Sequence, residues 1–229
     1  MFPRKEGTQM SLLGPIIVLI IFLTTDAAAS PVNLSGRMIE AVIPTGYCEA
    51  DAHPTVIKVM DRVGKTIGNS NQILAMFADC KELIELREGG RKMLDNYGLI
   101  LAQTPKDKLL ILKGVARSEY IKTVKGQVNY FPDAIKKAET RVKQFVPGLG
   151  VENLGMLSAD SNGIYIGLLM TMADETERPR ATIAVMGMTL VREISITINI
   201  YQAYWNSPDL RGLLARQQAA MATFVRANN

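Results

Sequence analysis

The stretch from Ile164 to Tyr201 constrains the fold more than any other part of this 229-residue chain. In its last segment Ile194, Ile196, Ile198 and Ile200 alternate strictly with Ser195, Thr197, Asn199 and Tyr201. Successive side chains of a strand point to opposite faces, so the pattern predicts one face turned in and one turned out. Asn153–Ala159, Ile164–Met172, Thr182–Val191 and Glu193–Tyr201 read as four consecutive strands, with Asp160-Ser161-Asn162-Gly163 turning the first into the second. Arg192-Glu193 must turn the third into the fourth without the Gly or Asn that tight turns favour, which leaves the register least secure there.

Helices flank this meander. Ser207-Pro208-Asp209 starts a terminal helix in the order cap residue then Pro, and Leu210, Leu213, Leu214, Gln217, Met221, Phe224 and Val225 form its inner side. Upstream, the apolar spacing predicts a helix over Thr55–Ile67, a buried strand over Gln72–Ala78, a short helix over Lys81–Arg87 and a strand over Asn96–Gln103. Lys108–Val124 and Asp133–Val146 then read as amphipathic helices. The expected fold class is α+β: an antiparallel sheet ending in a four-strand meander, packed by amphipathic helices, with the C-terminal helix last.

The first thirty residues carry a different signal. Arg4 and Lys5 precede an apolar run from Leu12 to Leu23, and Ala27-Ala28-Ala29 stands before Ser30. That order matches an export signal cleaved between Ala29 and Ser30. A membrane anchor needs roughly 20 apolar residues, whereas this run of about 12 is interrupted by Gly14-Pro15 and stopped by Asp26. Residues 1–29 are therefore expected to be a cleaved signal peptide and 30–229 a single exported domain, periplasmic or secreted. The formal charge of +4 is modest and the basic residues are dispersed with few aromatics among them, which argues against a nucleic-acid partner.

Cys48 and Cys80 are the only cysteines. An even count in an oxidising compartment predicts one disulfide, and closing a loop of about 32 residues would destabilise the unfolded chain by about 3.7 kcal/mol in the chain-entropy account. Two rival uses exist for them. Cys48, Asp51, His53 and Cys80 would supply four zinc ligands, although the spacing is neither CxxC nor HxxxH. Cys48 with His53, the sole histidine, would make a nucleophile pair.

The remaining candidates are weaker against ordinary structural roles. Met170, Met172, Met186 and Met188 place paired thioethers on consecutive strands and would suit a soft Cu(I) site, yet Met also fills irregular core space. Lys136, Lys137, Arg141 and Lys143 give one helix a basic face for a membrane surface or acidic partner, although a solvated face is the better reading because the apolar side is needed to cover a sheet and Glu139 interrupts the cations. Glu82 with Glu85, and Asp174 with Glu175 and Glu177, are acid pairs that solvated helix and loop positions explain. Asn33-Leu34-Ser35 fits a glycosylation acceptor, against a chance match near a frayed new N-terminus. No G-x-S-x-G, P-loop, H-E-x-x-H or dinucleotide fingerprint occurs, and no cofactor is expected.

Thr189–Asn229, a hairpin of alternating strands running directly into a helix, resembles the ending of PsbP-like exported domains. Gly46-Tyr47-Cys48 with Ala78-Asp79-Cys80 is similar to segments of uncharacterised exported bacterial proteins of that architecture. The resemblance implies a fold and a compartment, and it assigns no functional residue. Together these readings lead to an exported, non-catalytic binding or accessory protein of the cell envelope with a protein partner. The alternatives are a hydrolase-type enzyme with scattered polar residues, or a copper-binding protein.

Overall fold

The computed structural model describes residues 29–50, 52–67, 70–128, 140, 151–173, 179–203 and 209–229. Residues 1–28, Asp51, the helix expected over Asp133–Val146 apart from Thr140, the acids Asp174, Glu175 and Glu177, and Ser207-Pro208 lie outside them.

Nine strands and four helices are described: β1 Ala29–Leu34, β2 Arg37–Val42, β3 Tyr47–Glu49, α1 Pro54–Ile67, β4 Asn71–Asp79, α2 Cys80–Arg87, β5 Asn96–Gln103, α3 Arg117–Gln127, β6 Val151–Ala159, β7 Ile164–Ala173, β8 Pro179–Val191, β9 Ile194–Ala203 and α4 Leu210–Ala227. Seven strands form one sheet in the order β3-β4-β5-β9-β8-β7-β6, every described pairing in it antiparallel, and β1 and β2 form a separate hairpin. The fold is α+β, with the meander β6 to β9 and the terminal helix where the alternation places them.

β9 sits in the middle, between β5 and β8. Its isoleucines 194, 196, 198 and 200 are at most 1% exposed and pack with Leu213, Leu214, Met221 and Phe224 of α4 and Ile39 and Ala41 of β2. Burying each such side chain stabilises the fold by roughly 1.5–3 kcal/mol. The other face of β9 does not turn out to solvent, contrary to the expectation from alternation: Ser195, Thr197, Asn199 and Tyr201 are also buried. They are neutral, and hydrogen bonds from Ser195, the Asn199 amide nitrogen and Tyr201 offset much of the penalty of burial, while Asn199 Oδ1 is left without a partner among the described residues. Tyr120 on α3 pairs its hydroxyl with Ser195 Oγ at 2.8 Å, Ser195 Oγ donates to Gln103 Oε1, and Asn199 Nδ2 donates to the Tyr201 hydroxyl. Over this second face lie α1 and α2, packing Val56, Leu83 and Leu86 near Tyr97 and Leu99, and α3, packing Tyr120 and Ile121 near Ile164 and Leu190.

Three elements differ from the reading by periodicity. The hairpin β1–β2 has an alternating pattern around Ser35-Gly36, whose φ values of 52° and 83° make the tight turn that joins its strands. Asn33 is therefore a hairpin residue, not part of a frayed end, and its Oδ1 accepts from Gly36 N. The helix expected over Lys108–Val124 begins only at Arg117. Before it, Ile111 bridges to Ile194, Leu110 O accepts from Ser195 N, and Leu112 N donates to Glu193 O, so sheet hydrogen bonds outcompete the helical spacing there. At α4 the cap is Asp209, whose side chain accepts from Gly212 N.

The acid pair Glu82 and Glu85 is structural. Glu82, 7% exposed, accepts from Asp95 N, Asn96 N and Asn96 Nδ2, while Arg91 reaches Glu82, Glu85 and Asp95 and ties α2 to the start of β5. Gly98 is required by packing in β5. A Cβ there would stand 2.6 Å from Asn199 O and overlap the Phe77 ring, which lies across the glycine from the neighbouring strand. Gly98→Ala should lower unfolding free energy by about 1–3 kcal/mol, read from urea titration, through overpacking of a closed core. Tyr120→Phe, which removes a single buried hydrogen bond, should cost about 1 kcal/mol in the same assay.

Candidate functional site

The turn Arg192-Glu193 joins β8 to β9 with φ values of 47° and 65°. Two consecutive side-chain-bearing residues in the left-handed region are uncommon, and such strain persists only where the surroundings over-determine it. Here they do. Glu193 pairs with Arg37 of β2 at 2.5 Å and accepts from Gly114 N at 2.9 Å. Arg192 donates from Nη1 to Met38 O at 2.6 Å and from Nε to Asn228 O at 3.4 Å. Four chain segments meet at this end of the sheet: the β1–β2 turn, the Lys113-Gly114 turn, the Arg192-Glu193 turn, and Asn228-Asn229 beyond α4.

Asn228 closes the junction. It is 1% exposed, its Oδ1 accepts from Glu40 N at 2.8 Å, and its Nδ2 donates to Glu40 O and Phe224 O. Arg117, at the first turn of α3, donates to Leu190 O and to Asn229 Oδ1. The outer surface of the junction carries Arg37, Lys113, Arg117 and Arg192 around Glu193, with Met38 among the few large apolar side chains left exposed, at 40%. Cations predominate on it, and several of their N–H groups are spent on carbonyl oxygens, which fixes the guanidinium planes without neutralising them. A rigid, basic surface on loops with one exposed thioether is suited to holding a partner.

The Glu193 carboxyl is held below its ordinary value of 4.5, first by the Gly114 N–H and then by Arg37. The phenols are moved the other way: burial pushes Tyr97, Tyr120 and Tyr201 up, so they stay neutral hydrogen-bonding groups at neutral pH.

The residues singled out by sequence are placed as follows. Cys48 and Cys80 are joined to one another, with Cα atoms 4.9 Å apart, which withdraws both sulfurs from the zinc and nucleophile readings. His53 stands just before α1, where its Nδ1 accepts from Thr55 N. Met170 does not converge with Met186 and Met188: Met186 pairs across from Ile166 and Met170 from Thr182, four positions away on β8, roughly 13 Å at the rise of a strand. Met186 and Met188 pack in the cluster under α3, Met170 packs in the cluster under α1 and α2, and the Met172 side chain lies outside the described ones. Lys136, Lys137, Arg141 and Lys143 also lie outside the described residues. Arg37, Glu193 and Asn228 escape sequence reasoning because their partners are remote. The one local signal is the glycine-free turn.

Two outcomes follow. The Glu193 tie contributes to stability above the unfolded carboxyl value of 4.5 and is lost as pH falls below it, since the folded protein binds that proton less readily. The melting temperature should therefore fall between about pH 6 and about pH 3, and Glu193→Gln should lower the melting temperature at neutral pH and shrink the fall on acidification. Cu(I) titration against a coloured chelator should leave the chelator absorbance unchanged, because the Met170 thioether lies in one cluster and those of Met186 and Met188 in another.

No protein-family model matches the chain, and no curated protein matches it. Among solved structures it is similar to the Ran-binding protein Mog1p of Saccharomyces cerevisiae, with 11% identity over 88% of this chain and 94% of that one and a TM-score of 0.33. A mutant of Mog1 aligns with the same identity, coverage and score. At that distance neither neighbour lends this chain a role.

Proposed function

We infer that the chain from Ser30 onward is an exported, non-catalytic binding or accessory protein of the cell envelope, periplasmic or secreted, whose signal segment is removed between Ala29 and Ser30. The observation that carries the reading is the junction around Arg192-Glu193. It is a surface built by four segments, strained, cross-tied and predominantly cationic. Strain maintained at a surface turn is found where a fixed shape is used. The charge favours an acidic segment of a protein partner, because opposite charges steer encounter and reject cationic competitors.

Four further features support it. The leader supplies the compartment, and the Cys48–Cys80 bridge fits an oxidising one. The resemblance to PsbP-like exported domains points the same way. Glu82, Glu85, Arg91 and Asp95 bind one another and hold α2 to β5, which is a structural use of groups that a hydrolase would need exposed to substrate.

The test is affinity capture from the exported fraction with the disulfide-intact protein as bait. A protein partner should be retained, and Lys113→Glu, a charge reversal at an exposed position, should weaken its capture by about tenfold while lowering the melting temperature only slightly, since Lys113 also faces Glu193. Recovery of a small molecule or a metal in place of any protein would sink the reading.

A further inference from the structure

We propose that Cys48–Cys80 is an exchange disulfide, attacked at Cys48 by an external dithiol, and that its opening releases β3 from the sheet without unfolding the rest. The two sulfurs are unequally placed. Cys48 lies on β3 among exposed residues, and Cys80, the first residue of α2, is half-buried. Exchange requires the attacking thiolate to reach its target sulfur in line with the bond that breaks, so access selects Cys48 as the point of attack and Cys80 as the leaving group.

The topology makes the opening local. β3 is an edge strand of three residues, paired only through Tyr47, Cys48 and Glu49 to Asp79, Ala78 and Phe77. The remaining described strands of the sheet pair with one another without it, from β4 through β5, β9, β8 and β7 to β6. None of the three β3 residues is fully buried. What still holds β3 once the bridge opens is its three-residue ladder to β4, Tyr47, which packs against the core, stands edge-to-face on Phe77 at 5.1 Å and hydrogen-bonds Arg216, a bond from Ala50 N to Met76 O, and the Ser30 hydroxyl on the exposed Glu49 carboxylate. A segment with few buried apolar contacts and solvent-facing backbone bonds opens at far lower free energy than the core. The same contacts keep Cys48 close to Cys80, so the open state recloses by the reverse exchange, in which the cyclic disulfide of the dithiol takes back two electrons and two protons.

The chemistry balances. One thiolate of the dithiol attacks Cys48 Sγ, the Cys48–Cys80 bond breaks, and the Cys80 sulfur leaves with the electron pair and takes a proton. The second thiolate of the dithiol then attacks its own sulfur in the mixed disulfide, and Cys48 leaves and is protonated. The protein gains two electrons and two protons, and the dithiol loses the same to become a cyclic disulfide. The released edge is the β4 backbone at Phe77–Asp79, an extended ladder freed of its neighbour.

The test uses dithiothreitol on the purified oxidised protein without denaturant. Both thiols should become reactive to a maleimide while far-UV circular dichroism is unchanged, and loss of amide protection should be confined to the residues of β3 and their β4 partners. A bridge that opens only together with global unfolding, or a loss of protection throughout the sheet, would overturn the proposal. With glutathione in place of dithiothreitol, rapid acid quench and peptide mass spectrometry should find the adduct on Cys48. A predominant adduct on Cys80 would refute the assigned direction of attack.

Discussion

The whole arrangement depends on a central strand that is dry on both sides. β9 has a wall of isoleucines against α4 and a row of serine, threonine, asparagine and tyrosine beneath the helices of the other face. The first wall demands an apolar helix and accounts for the long amphipathic α4. The second demands satisfied polar groups, and it recruits Tyr120 from α3 and Gln103 from β5 to supply them. Every other layer is placed by one of these two requirements, because an uncovered isoleucine face or an unpaired hydroxyl would each cost more than the ordering of the chain that covers it.

The legible part of this fold is the part governed by local period. β7, β8, β9 and the body of α4 follow from alternation and from helical spacing, as do α2 and β5. The errors have specific causes. Polar alternation on β9 suggests a solvent face, yet Ser195, Thr197 and Asn199 are small and neutral enough to be buried, and sequence does not reveal that Tyr120, Gln103 and Tyr201 stand ready to hydrogen-bond Ser195 and the Asn199 amide nitrogen. The segment before α3 keeps helical spacing, but its backbone is claimed by β9 through Leu110, Ile111 and Leu112. The hairpin β1–β2 is written in its turn residues Ser35-Gly36, but the apolar run Leu12–Leu23 upstream is the stronger local signal.

The junction at Arg192-Glu193 was half legible. A turn without glycine is visible in the sequence, and its reason is not. The strain is balanced by contacts to residues 154 and 156 positions earlier and 36 positions later in the chain, distances over which no periodicity speaks. Long-range polar ties of this kind select one geometry among several that hydrophobic packing alone would tolerate. They make the basic surface a fixed shape, which is the property a recognition surface requires to avoid ordering costs when it binds.

The tie between Glu40 and Asn228 joins residues 188 positions apart, and that separation has a kinetic meaning. The hairpin forms from neighbouring residues, but until the distant α4 packs on it, it has neither that helix against it nor Asn228 at its side. Loop-closure entropy therefore postpones its native docking, so a piece of structure that can form early finds its place in the fold only late.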